Sequence, residues 1–215
     1  MTVKQDKLKP SPARRYAAAI PKESWSIMDL FELPPQTAAM ANSLYHSLQG
    51  QYFVGYADNM FFEKGNNAWA ALCNPKKSGI NLFVNVWTVT SLRQPIRMQI
   101  WMNAKLPGQP IPSTLVTSSN TAISPLPKPE VKLMQVSNVS GTPTDGIKAF
   151  VRRAPGGETV VAEEDGKFII PPGGNFAVFL SQDEDTADYA SVRVAYGWWE
   201  EPICSQYRPI GDLNA

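Results

Sequence analysis

The 215-residue chain carries 20 lysines and arginines against 19 aspartates and glutamates, and a net charge of +1 excludes both a globally basic nucleic-acid binder and an acidic tail protein. With 43% hydrophobic and 18% charged residues, it has the apolar material for a packed core and too little charge for a disordered chain. A single histidine, His46, excludes a three-histidine metal centre and two cysteines exclude a zinc finger, so no metal or cofactor is expected.

Residues 1–22 hold Lys4, Lys7, Lys9, Arg14, Arg15 and Lys22 against Asp6 alone, a local charge of +5 that leaves −4 for residues 23–215. Pro10, Pro12 and Pro21 make this segment an extended arm rather than a folded element. Its apolar stretch, residues 16–20, is too short for the core of a secretory signal. No apolar run in the chain approaches the ~18 residues that a membrane-spanning helix needs. Residues 24–33 read as a short helix capped by Ser24 and ended by Pro34-Pro35. Residues 37–48 place Met40, Leu44 and Leu48 on one helical stripe, with Gly50 as the stop. A strand starting near Leu44 and running through a bulge at Gly50 is the competing reading. His46, inside this stretch, is expected at the surface or near a cap.

From Gln51 onward the pattern is β. Tyr52-Phe53-Val54-Gly55-Tyr56 is rich in strand formers. Lys64-Gly65-Asn66-Asn67 reads as a hairpin-type turn between residues 60–62 and 68–72. Residues 80–90 alternate, with Ile80, Leu82, Val84 and Val86 on one face and Asn81, Phe83, Asn85 and Trp87 on the other. Residues 96–102 alternate in the same way, with Ile96, Met98, Ile100 and Met102 inward. Residues 105–130 hold six prolines, a density that prevents regular pairing. They read as a long ordered crossover between sheets, with one short strand at 115–118 and a position at a subunit contact. Pro155-Gly156-Gly157 reads as a hairpin turn, and Glu164-Asp165-Gly166 and Pro171-Pro172-Gly173-Gly174 as further turns. The closing strand, residues 190–199, should bury Val192, Val194, Tyr196 and Trp198 and expose Arg193. Eight to ten short strands at this spacing indicate a sandwich or jelly roll.

Chemistry-bearing patterns are sparse. The Pro-Gly-Gly segments are followed by no helix and lack the lysine and hydroxyl of a phosphate loop. Glu163 with Glu164, and Glu200 with Glu201, are strand neighbours whose side chains diverge, so neither pair forms a catalytic dyad; both read as solvated strand ends. Asp183, Glu184, Asp185 and Asp188 lack the spacing of a calcium loop. No serine-nucleophile elbow occurs. Cys73 and Cys204 read as reduced thiols, with a disulfide as the alternative. Trp87 and Trp101 fall on the more polar faces of their strands. If both are exposed on one sheet, they form a patch suited to a subunit contact, with second-layer packing or a sugar platform as alternatives.

Pro171-Pro172-Gly173-Gly174-Asn175-Phe176, followed by Val192-Arg193-Val194-Ala195-Tyr196-Gly197-Trp198-Trp199-Glu200-Glu201, resembles the C-terminal half of uncharacterised β-sandwich proteins of spore-forming Firmicutes. Phage decoration proteins show a comparable pattern. Tyr52-Phe53-Val54-Gly55 and the stretch from Leu72-Cys73-Asn74-Pro75 to Val86 are similar to the same bacterial group. The resemblance implies a β-sandwich in a secreted, spore-surface or virion assembly, and it carries no catalytic residue.

The sequence thus leads to an all-β sandwich of jelly-roll type over residues 36–215, preceded by a basic arm and short helix over residues 1–35. The expected function is non-enzymatic: a self-assembling structural subunit of an extracellular or spore-surface filament or layer, assembled without a Sec signal. Its partner is itself, with no nucleic acid and no membrane span. Subunit contacts are expected through Leu8, Tyr16, Ile20, Trp25, Trp87 and Trp101, the arm pairing with a neighbour's sheet edge. A virion decoration or fibre-associated protein and a carbohydrate-binding module are the alternatives.

Overall fold

The computed structural model describes residues 41–182 and 189–203. The arm, the helix expected at 24–33, the acidic segment 183–188 and Cys204 lie outside the described residues. The chain divides into two units, residues 1–39 and 40–215, and every described residue belongs to the second.

One helix, α1 (Asn42–Leu48), is followed by eleven strands: β1 (Tyr52–Phe62), β2 (Asn67–Cys73), β3 (Ile80–Ser91), β4 (Ile96–Met102), β5 (Ile111–Pro112), β6 (Val116–Ser118), β7 (Lys132–Val139), β8 (Ile147–Ala154), β9 (Thr159–Ile170), β10 (Asn175–Gln182) and β11 (Ala190–Pro202). They form two antiparallel sheets, ordered β6-β1-β11-β3-β9 and β5-β7-β2-β10-β4-β8. Set aside β5 to β7, and the sheets become β1-β11-β3-β9 facing β2-β10-β4-β8. Each strand then crosses to the sheet opposite its predecessor, except that β8 pairs with β4 in the second sheet, which is the jelly-roll winding of two Greek keys. No helix among the described residues is long and apolar enough to cross a membrane.

This winding corrects two expected hairpins. The turn at Gly65 joins β1 to β2, and the turn at Gly157 joins β8 to β9; in each case the two strands lie in different sheets. Both glycines have positive φ, +83° and +77°, so the turn chemistry holds. A tight turn reverses the chain, but the hydrophobic faces decide which partner the next strand takes. Glu164-Asp165-Gly166 is likewise no turn between strands. It is a bulge inside the continuous β9, where residues 164–167 stand opposite the break between Val84 and Val86.

The core fills the space between the inner faces. Val192, Val194, Tyr196 and Trp198 are buried as expected, and Tyr196 Oη donates to the Ala70 carbonyl across the sandwich at 2.6 Å. Arg193 points out and meets Asp58 at 2.6 Å. Ile96, Met98 and Ile100 are buried, with Met102 half-buried at the end of the row. On β3 the alternation changes phase. Asn85 is an extra residue relative to β11 and stands opposite the bulge of β9, so Leu82 and Val84 face inward before it, and Trp87, Val89 and Ser91 after it.

The proline-rich crossover runs from the end of β4 to the start of β7. As expected it contains a short strand, β6, which pairs with β1. Much of its order comes from packing. Over the outer face of the second sheet it covers Trp69, Ala71, Ala177 and Phe179, with Leu106 packed against them. Trp69 Nε1 donates to the Pro107 carbonyl at 2.7 Å. Gly108, at φ +88°, has no room for a side chain: a Cβ would stand 2.7 Å from a Val139 methyl.

Candidate functional site

A groove of about 470 Å³ lies on the outer face of the first sheet. Its origin is the alternation of three neighbouring strands. Val54 and Tyr56 point outward from β1, Val86 and Thr88 from β3, and between them β11 presents only Ala195 and Gly197. Small residues on the central strand make a trough, and Leu115, Val116 and Thr117 raise its far wall. Gly55 allows that wall to close in, since a Cβ there would lie 2.8 Å from Val116 Cγ2. The trough is lined mainly by aliphatic and aromatic carbon. Val54, Tyr56 and Leu115 are exposed by 39%, 44% and 42%.

Beyond Gly197 a side chain crosses the trough. A Cβ on Gly197 would overlap the Tyr52 hydroxyl, so glycine is what lets that ring reach over β11. There Asn85 Nδ2 donates to Tyr52 Oη at 2.8 Å. Next stands a stack of three rings. Phe83 and Trp199 lie parallel with centroids 5.3 Å apart, and His46 from α1 stacks on Trp199 at 5.0 Å. His46 Nδ1 faces Gln51 Oε1 and Nε2 faces Glu201 Oε1, each at 3.1 Å. The expected surface histidine is therefore buried and ties α1 to the sheet. The expected apolar stripe of that helix is reversed, because Leu44 and Leu48 are more than half exposed. The stack and the Glu201 carboxylate offer His46 more contact than the sheet offers either leucine.

The two glutamates expected at solvated strand ends, Glu164 and Glu200, are buried. Glu164 accepts from Trp87 Nε1 at 3.1 Å. Glu200 accepts from the backbone N–H groups of Glu130 and Val131 at 2.9 and 3.0 Å, and from Trp198 Nε1 at 3.1 Å. Burial raises the Glu200 pKa despite these donors. Both carboxylates hold neighbouring elements in place, and each neighbour in sequence, Glu163 and Glu201, points the other way. Among the described residues no three His, Cys, Asp or Glu side chains converge on a metal-sized site.

Of the sequence-selected contact residues, only Trp87 and Trp101 are described, and the structure does not bring these two together. Leu8, Tyr16, Ile20 and Trp25 lie outside the described residues. Trp87 is fully buried in the core of the first sheet, while Trp101 is half-buried on the second sheet with Lys148 Nζ over its ring at 5.4 Å. The condition for a shared patch, exposure on one sheet, is not met. The bulge at Asn85 turned Trp87 inward. The other described tryptophans, Trp69, Trp198 and Trp199, are buried too. The groove itself was missed, although Tyr52-Phe53-Val54-Gly55-Tyr56 carried its signal: a strand apolar on both faces has a second face to cover.

Cys73 is half-buried on β2, and burial pushes its thiol up to about 11 from 9.0. Two pH units remove about 99% of the thiolate that an ordinary cysteine would present at neutral pH. In a Cys204→Ala chain, Ellman's reagent should therefore modify folded Cys73 about a hundredfold more slowly than the denatured chain. Equal rates would show the thiol to be open.

Residues 33–206 match a family model described as Family of unknown function (DUF6143). No curated protein and no solved structure matches the chain.

Proposed function

We propose that this chain, which belongs to the Family of unknown function (DUF6143), is a self-assembling structural subunit of a surface filament or layer, in which the arm of one copy seats in the groove of the next. The observation that carries this reading is the groove: a solvent-open, carbon-lined trough bordered by the three-residue edge strand β6. Exposed apolar surface of this kind marks an interaction site more often than it marks idle surface. The occupant fits in composition. Leu8, Tyr16, Ile20 and Trp25 supply apolar side chains, and the +5 charge of residues 1–22 suits a body of opposite sign.

Magnitudes decide which of these matters more. Ordering ~20 residues costs on the order of 20–40 kcal/mol of backbone entropy. Exposed ion pairs return ~0–1 kcal/mol each and are screened by salt. Apolar burial in the trough and backbone hydrogen bonds along the β6 edge must supply the rest. Deleting residues 2–22 should thus leave a folded domain that forms no polymer in negative-stain micrographs, whereas added salt should weaken wild-type assembly only partly. Polymers of unchanged morphology from the deleted chain would overturn the proposal.

A further inference from the structure

Among the described residues the sandwich closes one flank and leaves the other open. On the closed flank the outermost strands are β5 and β6, of two and three residues, both supplied by the crossover. Very short outermost strands are a usual means of preventing unwanted pairing. On the open flank the outermost strands are β8 and β9, of eight and twelve residues. Among the described residues β8 pairs only with β4, and β9 only with β3. Among the described residues each therefore presents one side of its backbone without a ladder. The two edges lie together, as the rings of Phe150 and Phe168 meet across the gap at 5.6 Å.

Two further properties distinguish these edges. They expose aliphatic side chains that a solvated edge would avoid: Ile147 and Val151 on β8, and Val161 and Ile169 on β9, each between 45% and 59% exposed. They also carry opposite charge. β8 holds Lys148, Arg152 and Arg153 with no acidic residue, whereas Glu158 and β9 together expose Glu158, Glu163 and Asp165 against Lys167.

We infer that the β8 and β9 edges form a second self-association surface, on which another copy pairs edge to edge about a two-fold axis. Its β9 lies against β8 and its β8 against β9, so that each sheet of one copy continues into the opposite sheet of the other. The two-fold arrangement follows from the edges being neighbours of complementary sign. It sets cation against carboxylate twice and leaves no open strand on this flank, whereas a head-to-tail contact would leave one exposed. The surface is separate from the groove, so dimerisation here and seating of the arm can each fail without the other.

Hydrogen exchange on the full-length chain, compared between dilute and concentrated solutions, tests this directly. Amides of β8 and β9 should both exchange at least about tenfold more slowly in the concentrated sample. Protection around residues 54–56 and 115–117 reports the arm independently. Lys148→Glu alone and Glu163→Lys alone, both at exposed positions, should each lose the concentration-dependent protection, and the double variant should regain it. The inference is overturned if neither edge gains protection in a sample that associates, if only one edge does, or if the double variant behaves like the single ones.

Discussion

Val194→Asp should yield no cooperatively folded protein. Val194 is fully buried near the middle of β11, the strand at the centre of the first sheet, where it stands beside Ala57 of β1 and Val89 of β3. Both of those neighbours are fully buried as well, so nothing polar is at hand for a carboxylate. An unpaired charge in such a place costs several kcal/mol, and the lost packing adds to it. A domain typically has only about 5–15 kcal/mol of stability to lose. Arg193→Asp, one residue away, is the control. It breaks the exposed contact with Asp58 and sets two carboxylates together in solvent, which should leave the fold intact. Near-ultraviolet circular dichroism and thermal melting separate the two. A Val194→Asp chain that melts like the wild type would mean that β11 is out of register by one residue.

Glu200→Ala should be the most damaging substitution of a polar side chain. It strands three donors at once, two of them buried and one half-buried: the Val131 N–H, the Trp198 indole and the Glu130 N–H. At about 1–3 kcal/mol for each unsatisfied group, partly relieved by entering water, a loss of about 3–5 kcal/mol is expected. The crossover should be released first, because residues 130 and 131 are where it rejoins the sheet. Proteolysis within residues 105–130 should rise before the global transition. Glu200→Gln keeps one acceptor oxygen and should cost less. The same carboxyl gives a pH dependence. Its pKa is raised in the folded state, so the folded chain binds the proton more tightly than the unfolded chain, whose value is near 4.5. Stability should fall as pH rises from 4.5 toward the raised value and level off above it, and this component should vanish in Glu200→Gln. Identical pH profiles for the two chains, or an intact crossover in Glu200→Ala, would show that Glu200 is not the latch.

Much of the fold could be read because β alternation is local. Val192, Val194, Tyr196 and Trp198 alternate with polar or small neighbours, and that pattern by itself assigns their face. Ile96, Met98 and Ile100 behave in the same way. The proline density of residues 105–130 announced a crossover, since proline lacks the donor that a ladder needs. Misreadings arose where a side chain's face depends on a neighbouring strand. Trp87 looked outward from strict alternation, but the extra residue Asn85 shifts the phase of β3, and it is extra only relative to β11. His46 looked like a surface residue because the Trp199 ring that covers it is some 150 residues away in sequence.

The groove and the open flank show the same division. The sequence by itself determined that the chain is a β-sandwich, where its strands run and which aliphatic faces they bury, because strand propensity, period-two alternation and turn residues act over a few neighbours. Only the tertiary structure decided that β1 and β2, and likewise β8 and β9, lie in opposite sheets, so that the turns at Gly65 and Gly157 join opposite layers. It alone set Ala195 and Gly197 between Val54, Tyr56 and Val86 to make a trough, and left β8 and β9 side by side, each paired on one edge only among the described residues. Those outcomes depend on contacts between residues far apart in the chain, where packing and hydrogen-bond satisfaction over the whole sandwich outweigh local preference.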